Sequence, residues 1–93
     1  MHARVSTYDG DPDQLVQGFD SVRGALGDMD GFSKAYFLVD RAGGRGMSIT
    51  LWESEEALNA SVERASQMRE EATDQAGASI QSVDHYEVAL TEG

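Results

Sequence analysis

The run FSKAYFLVD (Phe32–Asp40), RAGG (Arg41–Gly44), RGMSITLWE (Arg45–Glu53) decides the fold of this 93-residue chain. Its two arms are rich in aromatic and β-branched residues, and the glycine pair between them reads as a hairpin turn. In the first arm Phe32, Tyr36 and Leu38 form one alternation set and Ala35, Phe37 and Val39 the other, so both faces are apolar. In the second, Met47, Ile49 and Leu51 alternate with Ser48, Thr50 and Trp52. A sheet with one solvated face shows a polar set on that face. Two apolar faces need cover on both sides, and the expectation is a homodimer packed sheet to sheet.

Reading outward from the hairpin completes the order of elements. Ala3 to Tyr8 alternates Ala3, Val5 and Thr7 with Arg4, Ser6 and Tyr8, as a strand does. Asp11-Pro12-Asp13-Gln14 opens a helix, with Asp11 at the cap and Pro12 at the first helical position. Its apolar stripe is Leu15, Phe19, Val22, Leu26 and Met29, and it stops around Asp28 to Gly31. Gly18, Gly24 and Gly27 each cost about 1 kcal/mol relative to Ala, so this helix depends on packing its stripe. Ser54 caps a second helix with Glu55 and Glu56 in its first turn and a stripe of Leu58, Val62, Ala65, Met68 or Arg69, and Ala72. Gly77 closes it, and Ser79 to Leu90 reads as a long final strand. The result is a single domain over residues 1–93, an α+β chain of ferredoxin-like β-α-β-β-α-β order. Both helices then lie on one face of a four-stranded antiparallel sheet.

Composition narrows the partners. Seventeen acidic residues against seven basic give a net charge of −10. Phosphate binding needs a basic stripe, and here the basic residues are scattered, so neither nucleic acid nor an anionic membrane surface is expected. The absence of cysteine excludes disulfides, cysteine-based zinc sites and thiol nucleophiles. The first seven residues carry no apolar signal-peptide core and no run is long enough to span a bilayer, so the expected address is the cytoplasm.

The segment Ser48-Ile49-Thr50-Leu51-Trp52-Glu53-Ser54-Glu55-Glu56-Ala57, a strand ending in Trp-Glu-Ser before a helix opened by Glu and Ala, resembles the antibiotic biosynthesis monooxygenase-like family. The Asp/Pro-capped first helix and the Gly31-Phe32 entry to strand two support the resemblance. It implies a dimeric α+β barrel with a pocket between sheet and helices in each subunit. In the family's cofactor-independent, quinone-forming members an Asn lies four residues before this Trp and a Tyr six after it, where this chain has Ser48 and Leu58. The haem-degrading branch needs an Asn on the first strand, a second Trp on the second helix and a helical His. This chain offers Ser6 or Thr7, then Ser61, and no His between His2 and His85, which excludes haem ligation in that manner.

Residues four apart in a strand share a face, so Ser48, Thr50 and Trp52 are the expected pocket wall, with Phe37 and Leu58 as apolar sides. Trp52 is also readable as a large aromatic packing beneath the following helix. Arg4 and Tyr86 are further pocket or interface candidates. Arg4 could hold an anionic ligand by a forked hydrogen bond or meet a carboxylate of the partner subunit. Glu63, Arg64, Arg69, Glu70, Glu71 and Asp74 read as a solvated helix face. His85 points away from Asp84 and Tyr86, so the strand builds no Asp–His dyad, and no pair of histidines has metal-ligand spacing. No catalytic residue, metal ligand or cofactor-binding residue stands out. The expected function is small-molecule binding, and the resemblance implies cofactor-independent oxygenation of an aromatic or quinone-like compound. The alternative is a non-catalytic, stress-associated dimeric module whose pocket is filled by its own side chains.

Overall fold

Four strands form one sheet, and their register fixes what each of their side chains faces. A computed structural model describes every residue from Met1 to Gly93. The elements are β1 (His2–Asp9), α1 (Pro12–Arg23), a 3-10 segment (Gly24–Asp28), β2 (Phe32–Asp40), β3 (Arg45–Trp52), α2 (Glu55–Ala60), α3 (Val62–Ala76) and β4 (Ser79–Glu87). The strands lie in the order β2-β3-β1-β4, each pair antiparallel, which is the ferredoxin-like arrangement expected from the sequence. No helix is long and apolar enough to cross a membrane.

Local chemistry sets the ends of these elements. The Asp11 carboxylate accepts from the Gln14 N–H at 3.0 Å, and the Ser54 hydroxyl accepts from the Ala57 N–H at 3.0 Å, each satisfying a donor the helix leaves free. Gly77 ends α3 in the left-handed region at φ 63°, where a side chain would be strained. Between β2 and β3, Asp40 accepts from the Gly43 N–H and from Arg45, and both bonds hold its carboxyl below the usual range.

The two central strands place their sets in an unusual sense. Arg4, Ser6 and Tyr8 of β1 and Ser48, Thr50 and Trp52 of β3 are buried on the helix side. The apolar sets, Val5 with Met47, Ile49 and Leu51, face outward and remain partly covered, beside exposed Tyr36, Leu38 and Tyr86. The more polar set is therefore under the helices and the more apolar set is outside.

Four details differ from the sequence reading. A bulge between Phe32 and Lys34 shifts the register, so Phe32 joins the helix side and meets Trp52 edge-on at 5.5 Å instead of sharing a face with Tyr36 and Leu38. The first helix ends at Arg23, and Leu26 is carried by the 3-10 segment. The second helix divides at Ser61, where the Ser61 hydroxyl donates to the Leu58 carbonyl at 2.7 Å and Arg4 donates to the same carbonyl at 3.1 Å. The break takes Val62 out of the stripe and leaves it exposed, while Leu58, Ala65 and Ala72 of the stripe are buried as expected and Ala76 joins them. Finally, β4 stops at Glu87, and Leu90 is 92% exposed.

Candidate functional site

The core under the helices is split. Tyr8, Leu15, Phe19 and Ala76 form one cluster, and Leu26, Trp52 and Leu58 form another. Between them lies a cavity of about 50 Å³, bounded by members of both clusters. Its floor is the inward set of the central strands, Arg4, Ser6, Tyr8, Ser48 and Thr50, with Phe37 from β2 beside them. Its roof is Phe19 and Val22 of α1, Leu26, and Ala65, Met68, Arg69 and Ala72 of α3. The space exists because the facing side chains are small: serines and a threonine below, alanines above. It has room for a few waters at the roughly 10–15 Å³ each one needs. A ligand of ordinary size needs roughly 300 Å³ or more, so one must displace a wall residue. Met68 is the wall best suited to yield, being unbranched and only partly buried.

The polar groups are ordered. The Tyr8 and Ser48 hydroxyls share a hydrogen bond of 2.9 Å, and the Trp52 indole N–H donates to the Thr50 hydroxyl at 3.0 Å. Arg4 is 3% exposed. Its Nη2 donates to the Leu58 carbonyl at 3.1 Å and to the Ser61 hydroxyl at 3.0 Å, and its Nε donates to His85 Nε2 at 3.1 Å. The guanidinium also sits 5.8 Å from the Trp52 ring centroid. Its Nη1 is buried and has no acceptor. Burial first, and the nearby Arg69 charge second, push the Arg4 guanidinium down to about 10, which still leaves it charged at neutral pH. The bond from Arg4 requires a lone pair on His85 Nε2, so His85 is neutral. Its pKa is lowered by burial and then by Arg4 and Arg69. Every ionisable group that lines the cavity except Tyr8 is cationic, since no Asp or Glu reaches it.

No protein-family model matches the sequence. Two uncharacterized proteins of Mycobacterium tuberculosis are similar to it. Rv2558 is 34% identical over 94 residues, covering 97% of this chain and 39% of its own length. Rv2557 is 31% identical over 93 residues, covering 96% of this chain and 41% of its own. The chain thus spans about two fifths of the length of these relatives. Among solved structures, SnoaB from Streptomyces nogalater, a cofactor-independent oxygenase, superposes with a TM-score of 0.75 at 15% identity, covering 97% of this chain and 94% of SnoaB. ActVA-Orf6 of Streptomyces coelicolor, a monooxygenase solved with nanaomycin D, gives 0.68 at 18% identity, with 99% and 92% covered. The fold is that of the antibiotic biosynthesis monooxygenase-like proteins. The haem-degrader MhuD of Mycobacterium tuberculosis shares it, at a TM-score of 0.75 and 21% identity with both chains covered in full. On this monooxygenase-like fold both histidines of the present chain lie on strands, His2 on β1 and His85 on β4.

The structure brings together three of the five residues singled out from the sequence. Ser48, Thr50 and Phe37 line the cavity. Trp52 and Leu58 lie beside it, almost wholly inaccessible, packed with Leu26 and against Met68. Arg4 does not meet a partner's carboxylate, because its alternation set points under its own helices. Arg69 leaves the solvated helix face for the cavity rim, four residues after Ala65 on the same helix face. Ser6 and Tyr8 were missed as site residues, although they share Arg4's alternation set. Tyr86 lies on the outward face.

Proposed function

We propose that this chain is a small-molecule-binding protein whose ligand enters the cavity between sheet and helices. The observation that carries this reading is a floor of hydroxyls and an arginine where a small domain ordinarily places aliphatic side chains. A core made only for stability has no use for Arg4, Ser6, Ser48 and Thr50 on the central strands. The likeness in fold to SnoaB and ActVA-Orf6 supports cofactor-independent oxygenation of an aromatic or quinone-like compound as the chemistry. There the ionised substrate carbon reacts with dioxygen, one oxygen atom enters as a carbonyl and the other leaves as water. The protein's part is to bind and polarise the phenolate.

The enclosure of Trp52 and Leu58 favours the second reading, binding without catalysis. Oxygen uptake with a panel of polyphenols and hydroxyquinones separates the two. Uptake by the native protein that falls in Ser48→Ala and Thr50→Val supports oxygenation. Calorimetric binding of the same compounds with no uptake supports the binding module, and neither result in any case sinks both.

We further propose that the protein works as a homodimer joined through the outward sheet face. Exposed Tyr36, Leu38 and Tyr86 surrounding partly covered Met47, Ile49 and Leu51 support it, as does the size of the chain. Residues 1–93 are read as one domain.

A further inference from the structure

Arg4 and Arg69 stand apart from the other charges of this acidic chain. Arg23, Arg41 and Arg45 each pair with a carboxylate; Arg4, Lys34, Arg64 and Arg69 do not, and of these Lys34 and Arg64 are exposed whereas Arg4 is buried and Arg69 partly so. A buried cation with no counter-charge is unfavourable, and natural cores rarely keep one without a use. Arg4 is held from two sides: Nη2 by the Leu58 carbonyl and the Ser61 hydroxyl at the end of α2, Nε by His85. That leaves Nη1 as the unused donor, enclosed and without an acceptor. Arg4 and Arg69 both border the same cavity, and no carboxylate does. The remaining walls include Phe19, Phe37 and Met68, which suit an apolar body and not a hydrated inorganic ion.

We propose that this end of the cavity takes the carboxylate of a small organic acid, bound between Arg4 and Arg69, with Phe19, Phe37 and Met68 against its apolar body. The assignment rests on the cavity being the ligand site, as proposed above, and adds the charge and class of the ligand. The present space suits the acid group, and the body enters as Met68 turns aside. A charge-assisted bond to the free Nη1 replaces nothing already made, so the anion completes a coordination that the protein leaves open.

The test is calorimetric titration at pH 7 with three probes: benzoate, its neutral near-isostere benzamide, and inorganic phosphate. Native protein is compared with Arg69→Gln and Arg4→Met. Benzoate is expected to bind about tenfold or more tightly than benzamide, as an ionic hydrogen bond provides. Both substitutions should erase that preference, and phosphate should bind more weakly than benzoate. Arg69 is only partly buried and holds no other element, so its variant keeps the test readable if Arg4→Met fails to fold. Equal binding of benzoate and benzamide overturns the acid assignment while leaving the ligand site standing. Binding of neither overturns both. A benzoate preference that survives Arg69→Gln, or phosphate binding as tight as benzoate, overturns the assignment as well.

Discussion

Arg4 is the residue on which site and stability meet. It is buried with no carboxylate partner, and the Leu58 carbonyl it contacts also receives the Ser61 hydroxyl. A buried charge without a counter-ion carries a desolvation cost that no pairing repays, and an apolar side chain of similar length removes that cost. Arg4→Met is therefore expected to keep or raise stability, by about 1 kcal/mol in urea unfolding, while losing preference for an acid. A loss of several kcal/mol would show instead that Arg4 is there for the fold. His85 gives a pH signature. Its folded pKa lies below the ordinary 6.5, so between those two values the unfolded chain binds more protons. The stability it contributes is fully present above pH 6.5 and is lost as pH falls through that window. His85 is exposed, so the effect is small. Urea midpoints at pH 7.5 and 5.5 should fall further apart in native protein than in His85→Gln, and equal differences would contradict the Arg4–His85 bond.

At the scale of elements, much was legible because it rests on local chemistry. Asp11-Pro12 and Ser54 announce the helix starts, Gly77 the end of α3, and the alternation of β1 and β3 sorts their side chains correctly. What could not be read depends on distant partners. The division of the second helix at Ser61 involves Arg4, 57 residues away in sequence. The side on which Phe32 lies follows from a bulge that only pairing with β3 defines. For the same reason Ser48, Thr50 and Phe37 could be placed on a pocket wall, while the fate of Trp52 turned on how closely Leu26 and Leu58 pack it. Helix packing supplies a paired prediction. A Cβ at Gly18 would overlap the Ala72 carbonyl oxygen, so Gly18→Ala must push α1 from α3. Nothing stands within 4 Å of a Cβ at Gly24, whose φ is −63°. Thermal unfolding should show Gly18→Ala destabilised by about 1–3 kcal/mol and Gly24→Ala stabilised by about 0.5–1 kcal/mol. Stabilisation of both would mean that the helices are not in such close contact. Met68→Ala should widen the cavity and tighten benzoate binding at a cost of about 2 kcal/mol or more in stability.

For the whole molecule, the two central strands are turned inside out relative to a solitary two-layer domain: hydroxyls and arginine, with Tyr8 and Trp52, lie beneath the helices and aliphatics outside, while β2 keeps Ala35, Phe37 and Val39 inward. Both halves of that inversion have one explanation if a second copy covers the outer face and a ligand fills the inner one. Away from the turns, Lys34 and Asp84 are the charged side chains that strand register places on the outer face, so the net charge of −10 sits mainly on the helices and loops. Two copies can then meet without burying most of it, and added salt should strengthen the pairing. Sedimentation equilibrium at micromolar concentration should give twice the 10.1 kDa chain mass, and Ile49→Glu should reduce it to one. The most direct test of the inner half is to follow backbone amide NMR shifts as benzoate is added. Changes are expected to concentrate at Arg4, Ser6, Ser48, Thr50, Met68 and Arg69. Shifts confined to the outward set of Val5, Tyr36, Ile49 and Tyr86, or none at millimolar benzoate, would contradict that expectation.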